Sequence, residues 1–174
     1  TKTSWKILGA AWPGHFNKAV AEAVDENIKA IGLPSWSEAD QVLAKAVQKE
    51  AGAEQKGLSE TVEKLGLPVK EEDKKGGGSD DIGDVSWVVP TGQVVTACMA
   101  LGTPGHSWQI VAQGRLGIGY KGMLFAAKAM ALGAVDFMQN PELVRQAQEE
   151  FKKRRLASNY ISPIPDGLKP PINL

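Results

Sequence analysis

A nearly continuous apolar run from Gln93 to Leu101 is the feature that most limits what this chain of 174 residues can fold into. Apolar runs without alternation are typical of strands that are covered on both faces, as in the sheets of α/β proteins. Residues 2–11 and 84–89 are also predicted to be short strands. Helical segments lie between and after these strands, so the sequence predicts an α/β layer structure. Three strands are few for an independent sheet, which indicates that part of the fold lies outside this chain.

Apolar residues at helical spacing, together with start and stop signals, predict the helices. Asn17 is suited to begin the first helix and Gly32 to end it. Ser37 begins the second, with an acid three residues later as in a capping box. Proline at 141, after an asparagine, begins the last. The predicted helices cover 17–31, 37–51, 58–65 (a short one), 121–138 and the stretch that begins at 141.

Composition excludes several classes of protein. Lys plus Arg and Asp plus Glu are equal at 20 each, so no net field attracts nucleic acid. The basic cluster 152–155 is interpreted as charge at the end of the last helix. No uninterrupted run of about 18 apolar residues is present, so no membrane span is expected. The single cysteine, Cys98, cannot form an internal disulfide, and we expect a cytoplasmic protein.

Two sets of residues could take part in chemistry. His106 follows the apolar run, and loops at the carboxyl ends of strands are where α/β proteins place their sites. Its imidazole could ligate zinc or take a proton, but one histidine cannot hold a metal alone, and a surface turn is the simpler interpretation. The loop 76–84 carries three acids and four glycines, which could bind a cation or a ligand, or form a flexible surface loop. The second histidine, His15, is interpreted as part of a local turn.

Several segments together resemble a known family. Residues 76–91 read GGGSDDIGDVSWVVPT, which is very similar to a signature of the aminobenzoyl-glutamate utilisation amidohydrolases, in their B-type subunit. That group belongs to the metallopeptidase superfamily that includes carboxypeptidase G and aminoacylase. The similarity continues through the stretches 27–36, 102–108, 125–130 and 163–165. It therefore extends over nearly all of the chain.

The resemblance implies a fold and a site. It implies a partial three-layer zinc-peptidase-like catalytic domain, with residues 1–11 as the end of a lid domain and residues 12–174 as the C-terminal part of the catalytic domain. His106 matches the last metal ligand of the superfamily, for zinc or manganese. Residues Gly77, Gly78, Ser79, Asp80 and Asp81 match a loop that borders the active site and helps to bind substrate. The implied activity is hydrolysis of an amide bond in an N-acyl amino acid or an aminobenzoyl-glutamate-like substrate, through a metal-bound water.

The family's other metal ligands and its general-base Glu-Glu pair have no counterpart in this sequence, so we expect the chain alone to be inactive. Three hypotheses follow. The chain completes a hydrolase together with an N-terminal half or a second subunit, it is a non-catalytic binding or assembly domain derived from the family, or it is a proteolytic piece of an enzyme. The first predicts a large exposed apolar surface. The second predicts that this surface is polar or self-paired. Unpaired apolar strands favour the first or the third hypothesis, and a homodimer through exposed sheet edges is compatible with either case.

Overall fold

The computed structural model describes residues 1–66, 80–162 and 164–169. These ranges contain six α helices and no β strand. The helices are α1 (Lys18–Ile31), α2 (Glu38–Glu50), α3 (Ile82–Ser86), α4 (Trp108–Gly114), α5 (Gly117–Gln139) and α6 (Pro141–Ala157). The predicted α/β class, and with it the partial three-layer catalytic domain, is therefore wrong for the described residues. The exposed sheet edges that were expected to allow a homodimer are likewise not found there.

Three helices begin where their capping residues predict. The Asn17 side chain accepts a hydrogen bond from the N–H of Val20 at the start of α1. At α2, Ser37 and Asp40 form a reciprocal capping box. The Asn140 side chain caps α6, with Pro141 in its first turn. In each of these helices a local side-chain bond satisfies one of the first N–H groups, which is why the sequence located the three starts correctly.

The apolar run 93–101 is not a strand because its side chains are not covered on both faces. Val95 is 87% exposed and Leu101 is 72% exposed, whereas Ala100 is fully buried. The segment lies along α5 in an irregular conformation, and the Thr96 hydroxyl donates a hydrogen bond to the Gly122 carbonyl at 3.3 Å. Residues 2–11 have no regular structure. The predicted strand 84–89 is instead the end of α3 and the turn that follows it.

The predicted helix at 58–65 is also wrong. The Gln41 side chain of α2 takes the place of helical partners, since it accepts from the Leu58 N–H at 2.8 Å and donates to the Leu58 carbonyl at 3.2 Å. Leu58 itself is buried. A long-range amide contact therefore satisfies backbone groups that the periodic pattern had assigned to a helix. The short helix α4 was not predicted at all.

Helix α5 is the centre of the packing. It contacts α1, α4 and α6. One stripe of α5 faces inward, and four of its six buried residues are small enough to permit close approach. The buried residues are Ile118, Gly119, Gly122, Phe125, Ala129 and Gly133. Near its start, Ile118 joins a core with Ala44, Val47, Leu58 and Ala100. An ion pair of 2.6 Å between Lys121 and Asp40 also ties α5 to α2.

By length and composition, α5 is the one helix among the described residues that could cross a membrane. Core helices of soluble proteins meet the same criterion, so it is weak evidence. The expected division at residue 11 into a lid end and a catalytic part stays a prediction.

Candidate functional site

His106 lies in a turn that precedes α4. Its backbone has φ of 53°, in the left-handed region that non-glycine residues seldom adopt. The next residue, Ser107, is the N-cap of α4, and its hydroxyl donates to the Pro104 carbonyl at 2.7 Å. The side chain of His106 is exposed. The turn thus holds an imidazole at the protein surface, where it is accessible to a ligand.

The acidic loop is described only in part. Gly77, Gly78 and Ser79 lie outside the described residues, so their predicted role stays a prediction. Asp80 is exposed and its carboxylate accepts a hydrogen bond from the Ile82 N–H at 3.0 Å. Asp81 is also exposed and occupies the N-cap position of α3 without a side-chain capping bond. Its carboxylate is therefore not used for capping and stays accessible.

His106 has no companion ligands in the part of the chain that the structure describes. Within 1–66, 80–162 and 164–169, no group of three His, Cys, Asp or Glu side chains is placed to hold a metal ion. A catalytic zinc usually has three protein ligands. These residues therefore do not form a metal centre by themselves, and His106 offers a single donor.

A second cluster of polar and aromatic residues forms around Asp84, and we call it the Asp84 cluster. It consists of Trp12, Asp84, Ser86, Trp87 and Tyr160, with His15 against it. One carboxylate oxygen of Asp84 accepts from the Tyr160 hydroxyl at 2.7 Å, and the other accepts from the Trp12 N–H at 3.0 Å. The cluster joins the N-terminal segment, α3 and the tail after α6.

Aromatic contacts and backbone bonds close this cluster. The Trp12 ring lies 5.4 Å from Trp87 and 5.5 Å from Tyr160, between ring centroids. The indole N–H of Trp87 donates to the Pro13 carbonyl at 3.0 Å. Aromatic pairs at these separations contribute beyond the area that they bury. The segment around 12–13 is thus fixed although it has no regular secondary structure.

Glycine is required where α3 meets this segment. A Cβ atom added to Gly83 would lie 1.9 Å from the Trp12 carbonyl oxygen, which no real contact permits. The Ser86 hydroxyl, fully buried, donates to the Gly83 carbonyl and accepts from the His15 N–H at 2.7 Å. The close approach explains why the motif has a glycine at 83 and a small hydroxyl at 86.

The ionisable groups of the cluster are shifted in directions that follow from these contacts. The hydrogen bond from Tyr160, and then that from the Trp12 N–H, lowers the pKa of Asp84 below its usual value. The same bond raises the pKa of Tyr160. Burial, together with the nearby charge of Arg154, lowers the pKa of His15, although Glu150 opposes this shift. Near neutral pH the cluster therefore holds an ionised carboxylate and a neutral phenol.

His15 is more than the turn residue that the sequence predicted. Its ring packs edge-on against Trp87 with 4.6 Å between centroids. Its Nδ1 is buried and has no hydrogen-bond partner among the described atoms. In the sequence, Asp84 and Trp87 are only letters of a motif, because their partners lie more than 70 positions away along the chain. The available sequence signal for the Asp84 cluster was the scarcity of aromatic residues, which make up 6% of the chain.

Comparisons with known proteins test the family resemblance that the motif of residues 76–91 indicated. The chain is 30% identical to the B-type subunit of the p-aminobenzoyl-glutamate hydrolase of Escherichia coli (strain K12) over 175 aligned positions, which cover 88% of this chain and 36% of that relative. The chain is related to part of an aminobenzoyl-glutamate hydrolase subunit. The resemblance predicted from the motif of residues 76–91 is thereby confirmed.

The relation to this aminobenzoyl-glutamate hydrolase subunit indicates a hydrolase-family origin. This chain spans about a third of the length of that curated relative. No protein-family model matches the chain. No solved structure matches it either. The relative is named as a subunit of that hydrolase.

Proposed function

We propose that this chain forms part of a metal-dependent amidohydrolase that cleaves the amide bond of aminobenzoyl-glutamate or another N-acyl amino acid. The observation that carries the proposal is its 30% identity to a p-aminobenzoyl-glutamate hydrolase subunit over 88% of its length. Because the chain corresponds to 36% of that relative, the activity belongs to a larger assembly. The partner is the polypeptide that corresponds to the remainder, either joined to this chain or separate. We place the assembly in the cytoplasm.

His106 is the proposed contribution of this chain to a zinc or manganese site. The described residues lack a group of three ligands, so the other donors come from the partner polypeptide. The exposure of His106 in a turn supports this role. An imidazole that binds a metal together with ligands of a second polypeptide must be accessible at the surface of its own polypeptide.

The loop that contains Gly77, Gly78, Ser79, Asp80 and Asp81 is proposed to bind substrate. Asp80 and Asp81 are exposed and lie directly before α3. The Asp84 cluster fixes α3 to the segment that holds Trp12 and to the tail that holds Tyr160. Asp84 is therefore a positioning residue: it holds the C-terminal end of the loop in place and does not itself contact substrate.

A non-catalytic binding or assembly domain derived from the same family is the second candidate. The absence of a three-ligand group from the described residues favours it. The two candidates differ in whether the assembly that contains this chain binds metal and hydrolyses an amide.

The test uses the assembly purified from its natural source, and measures metal content by mass spectrometry together with hydrolysis of p-aminobenzoyl-glutamate. The variant is His106→Asn, because asparagine accepts a left-handed backbone but is a poor ligand for zinc. Loss of a direct ligand is expected to lower metal occupancy and activity together by about tenfold or more, judged from the effect of residues that only support ligands.

The matched control is Gly114→Ala, at the other end of α4, where an added Cβ meets no atom within 4 Å. It is expected to leave both quantities unchanged. If His106→Asn keeps full metal occupancy and activity, the proposed role of His106 is wrong. If the natural assembly holds no metal and hydrolyses no amide, the non-catalytic candidate replaces the hydrolase.

A further inference from the structure

The side of α5 that faces away from the protein is apolar and has no partner among the described residues. Its large side chains are between 44% and 84% exposed: Tyr120, Met123, Leu124, Met130, Val135 and Met138. The residues between them on this side are alanines, which are exposed too. We call this surface the outer face of α5. At 100° per residue it covers roughly 140° of the helix circumference.

No charged residue interrupts the outer face. Helix α5 has three charged residues, Lys121, Lys128 and Asp136. Lys121 is paired with Asp40, and Asp136 accepts a hydrogen bond from Asn27 of α1, so both point toward the body of the protein. Lys128 lies at one edge of the outer face. A helix with apolar residues on both its inner and its outer side is normally covered on both sides, and α5 is buried on a single side.

We propose that the outer face of α5 is the docking surface for the polypeptide that supplies the remainder of the hydrolase. This inference rests on the proposed function for the identity of its partner. The chain matches 36% of the relative, so the larger part of that relative has no counterpart in this chain. A polypeptide of that kind is present wherever the assembly forms, and it is large enough to cover a helix of 23 residues.

Residue chemistry on the outer face fits a protein partner. Three of its six large side chains are methionines, which adapt to the shape of an opposing surface. The alanines between them allow a second backbone to approach closely. Interfaces of permanent complexes are of this apolar kind, in contrast to the polar surfaces of transient ones.

The packing of α5 argues against a membrane as the occupant. To cross a bilayer the helix would have to leave α1 and α6, which contact its buried side. To lie on a bilayer it would need basic residues along both edges of the apolar face, as interfacial helices have. Lys128 is exposed at one edge, but Lys121 is held by the carboxylate of Asp40.

The experiment places a photoreactive benzoylphenylalanine at Ala127, in the middle of the outer face, in the natural host. After irradiation, mass spectrometry identifies the sequence attached to that position. The proposal expects a crosslink to a polypeptide that matches the part of the hydrolase subunit absent from this chain. A crosslink to the same face of a second copy, or recovery with lipid vesicles of bacterial composition and no protein adduct, would overturn it.

A charge variant provides the second measurement. Ala127→Glu adds a carboxylate to the outer face without touching the buried stripe, so the isolated chain should keep its helical circular dichroism. Co-purification of the partner is expected to fall at least tenfold. The control is Ala46→Glu, an exposed alanine in the middle of α2, which should leave co-purification unchanged. Equal retention of the partner by both variants would refute the docking surface.

The docking inference and the proposed function can fail separately. Hydrolysis of p-aminobenzoyl-glutamate by the purified assembly tests the function, and the crosslink tests the surface. If the assembly hydrolyses the amide while Ala127 crosslinks only to a second copy, the function stands and the surface is wrong. If Ala127 crosslinks to the complementary polypeptide and no hydrolysis occurs, the surface stands and the function is wrong.

Discussion

Replacement of Gly122 by alanine tests how closely α5 approaches the irregular segment before α4. An added Cβ at Gly122 would lie 2.4 Å from the Ala97 carbonyl oxygen and 2.9 Å from the Cα of Cys98. Both neighbours are backbone atoms, which cannot move aside in the way that a flexible side-chain end can. The substitution must therefore shift either the helix or the segment 97–98.

Two opposing effects determine how much Gly122→Ala changes the free energy of unfolding. Alanine is about 1 kcal/mol more favourable than glycine inside a helix. Overpacking typically costs about 1–3 kcal/mol, and a contact with rigid backbone belongs at the upper end. We therefore expect Gly122→Ala to lower the free energy of unfolding by about 1–2 kcal/mol. For a chain of this size, that corresponds to a fall in melting temperature of about 2–8 °C.

The assay is thermal unfolding followed by far-ultraviolet circular dichroism, with Gly114→Ala as the matched control. At Gly114 the added Cβ meets no atom within 4 Å, so the helix preference of alanine acts alone. We expect this control to raise the melting temperature slightly or leave it unchanged. If Gly122→Ala stabilises the protein as much as the control does, then α5 does not lie against residues 97–98 and the reasoning is refuted.

Two predictions concern ionisable groups. Tyr160→Phe removes the main cause of the lowered pKa of Asp84, so that pKa should rise toward its ordinary value of 3.8, and an unchanged value in an NMR carboxylate titration would contradict the hydrogen bond. Asp40→Asn weakens the contact with Lys121 and should cost about 1–3 kcal/mol at pH 7. The pKa of Asp40 is lowered by Lys121 and then by the Ser37 N–H, so its contribution is complete above pH 3.8 and is lost as the pH falls through the lower folded value. Urea unfolding at pH 7 and pH 3 should therefore show a smaller acid-induced loss for Asp40→Asn than for the parent, and equal losses would count against this ion pair.

Capping residues in the sequence located the starts of the helices that have a side-chain cap. Asn17, Ser37 and Asn140 each cap a helix through bonds that reach only three residues along the chain. Such bonds depend on neighbours in sequence, so the pattern of residues is sufficient to predict them. The helix α4 has no side-chain cap, and it was missed.

The candidate site likewise has residues that the sequence identified and contacts that only the structure shows. His106 was selected because of the letters around it, and the structure adds that it is exposed and has a left-handed backbone. Asp84 was part of a quoted motif, but its bonds to Trp12 and Tyr160 span more than 70 positions and could not be derived from the motif. We propose that the metal ligands that would complete a site come from the partner polypeptide.

The sequence by itself determined the family relation and the caps of three helices. Only the tertiary structure determined the conformation of the apolar run 93–101. That run predicted a strand because strands and buried irregular segments share the same composition. A strand also requires a neighbour that pairs with its N–H and C=O groups, and apolar residues specify burial without specifying that partner. In this protein the long helix α5 covers one side of the run, and Val95 and Leu101 remain exposed.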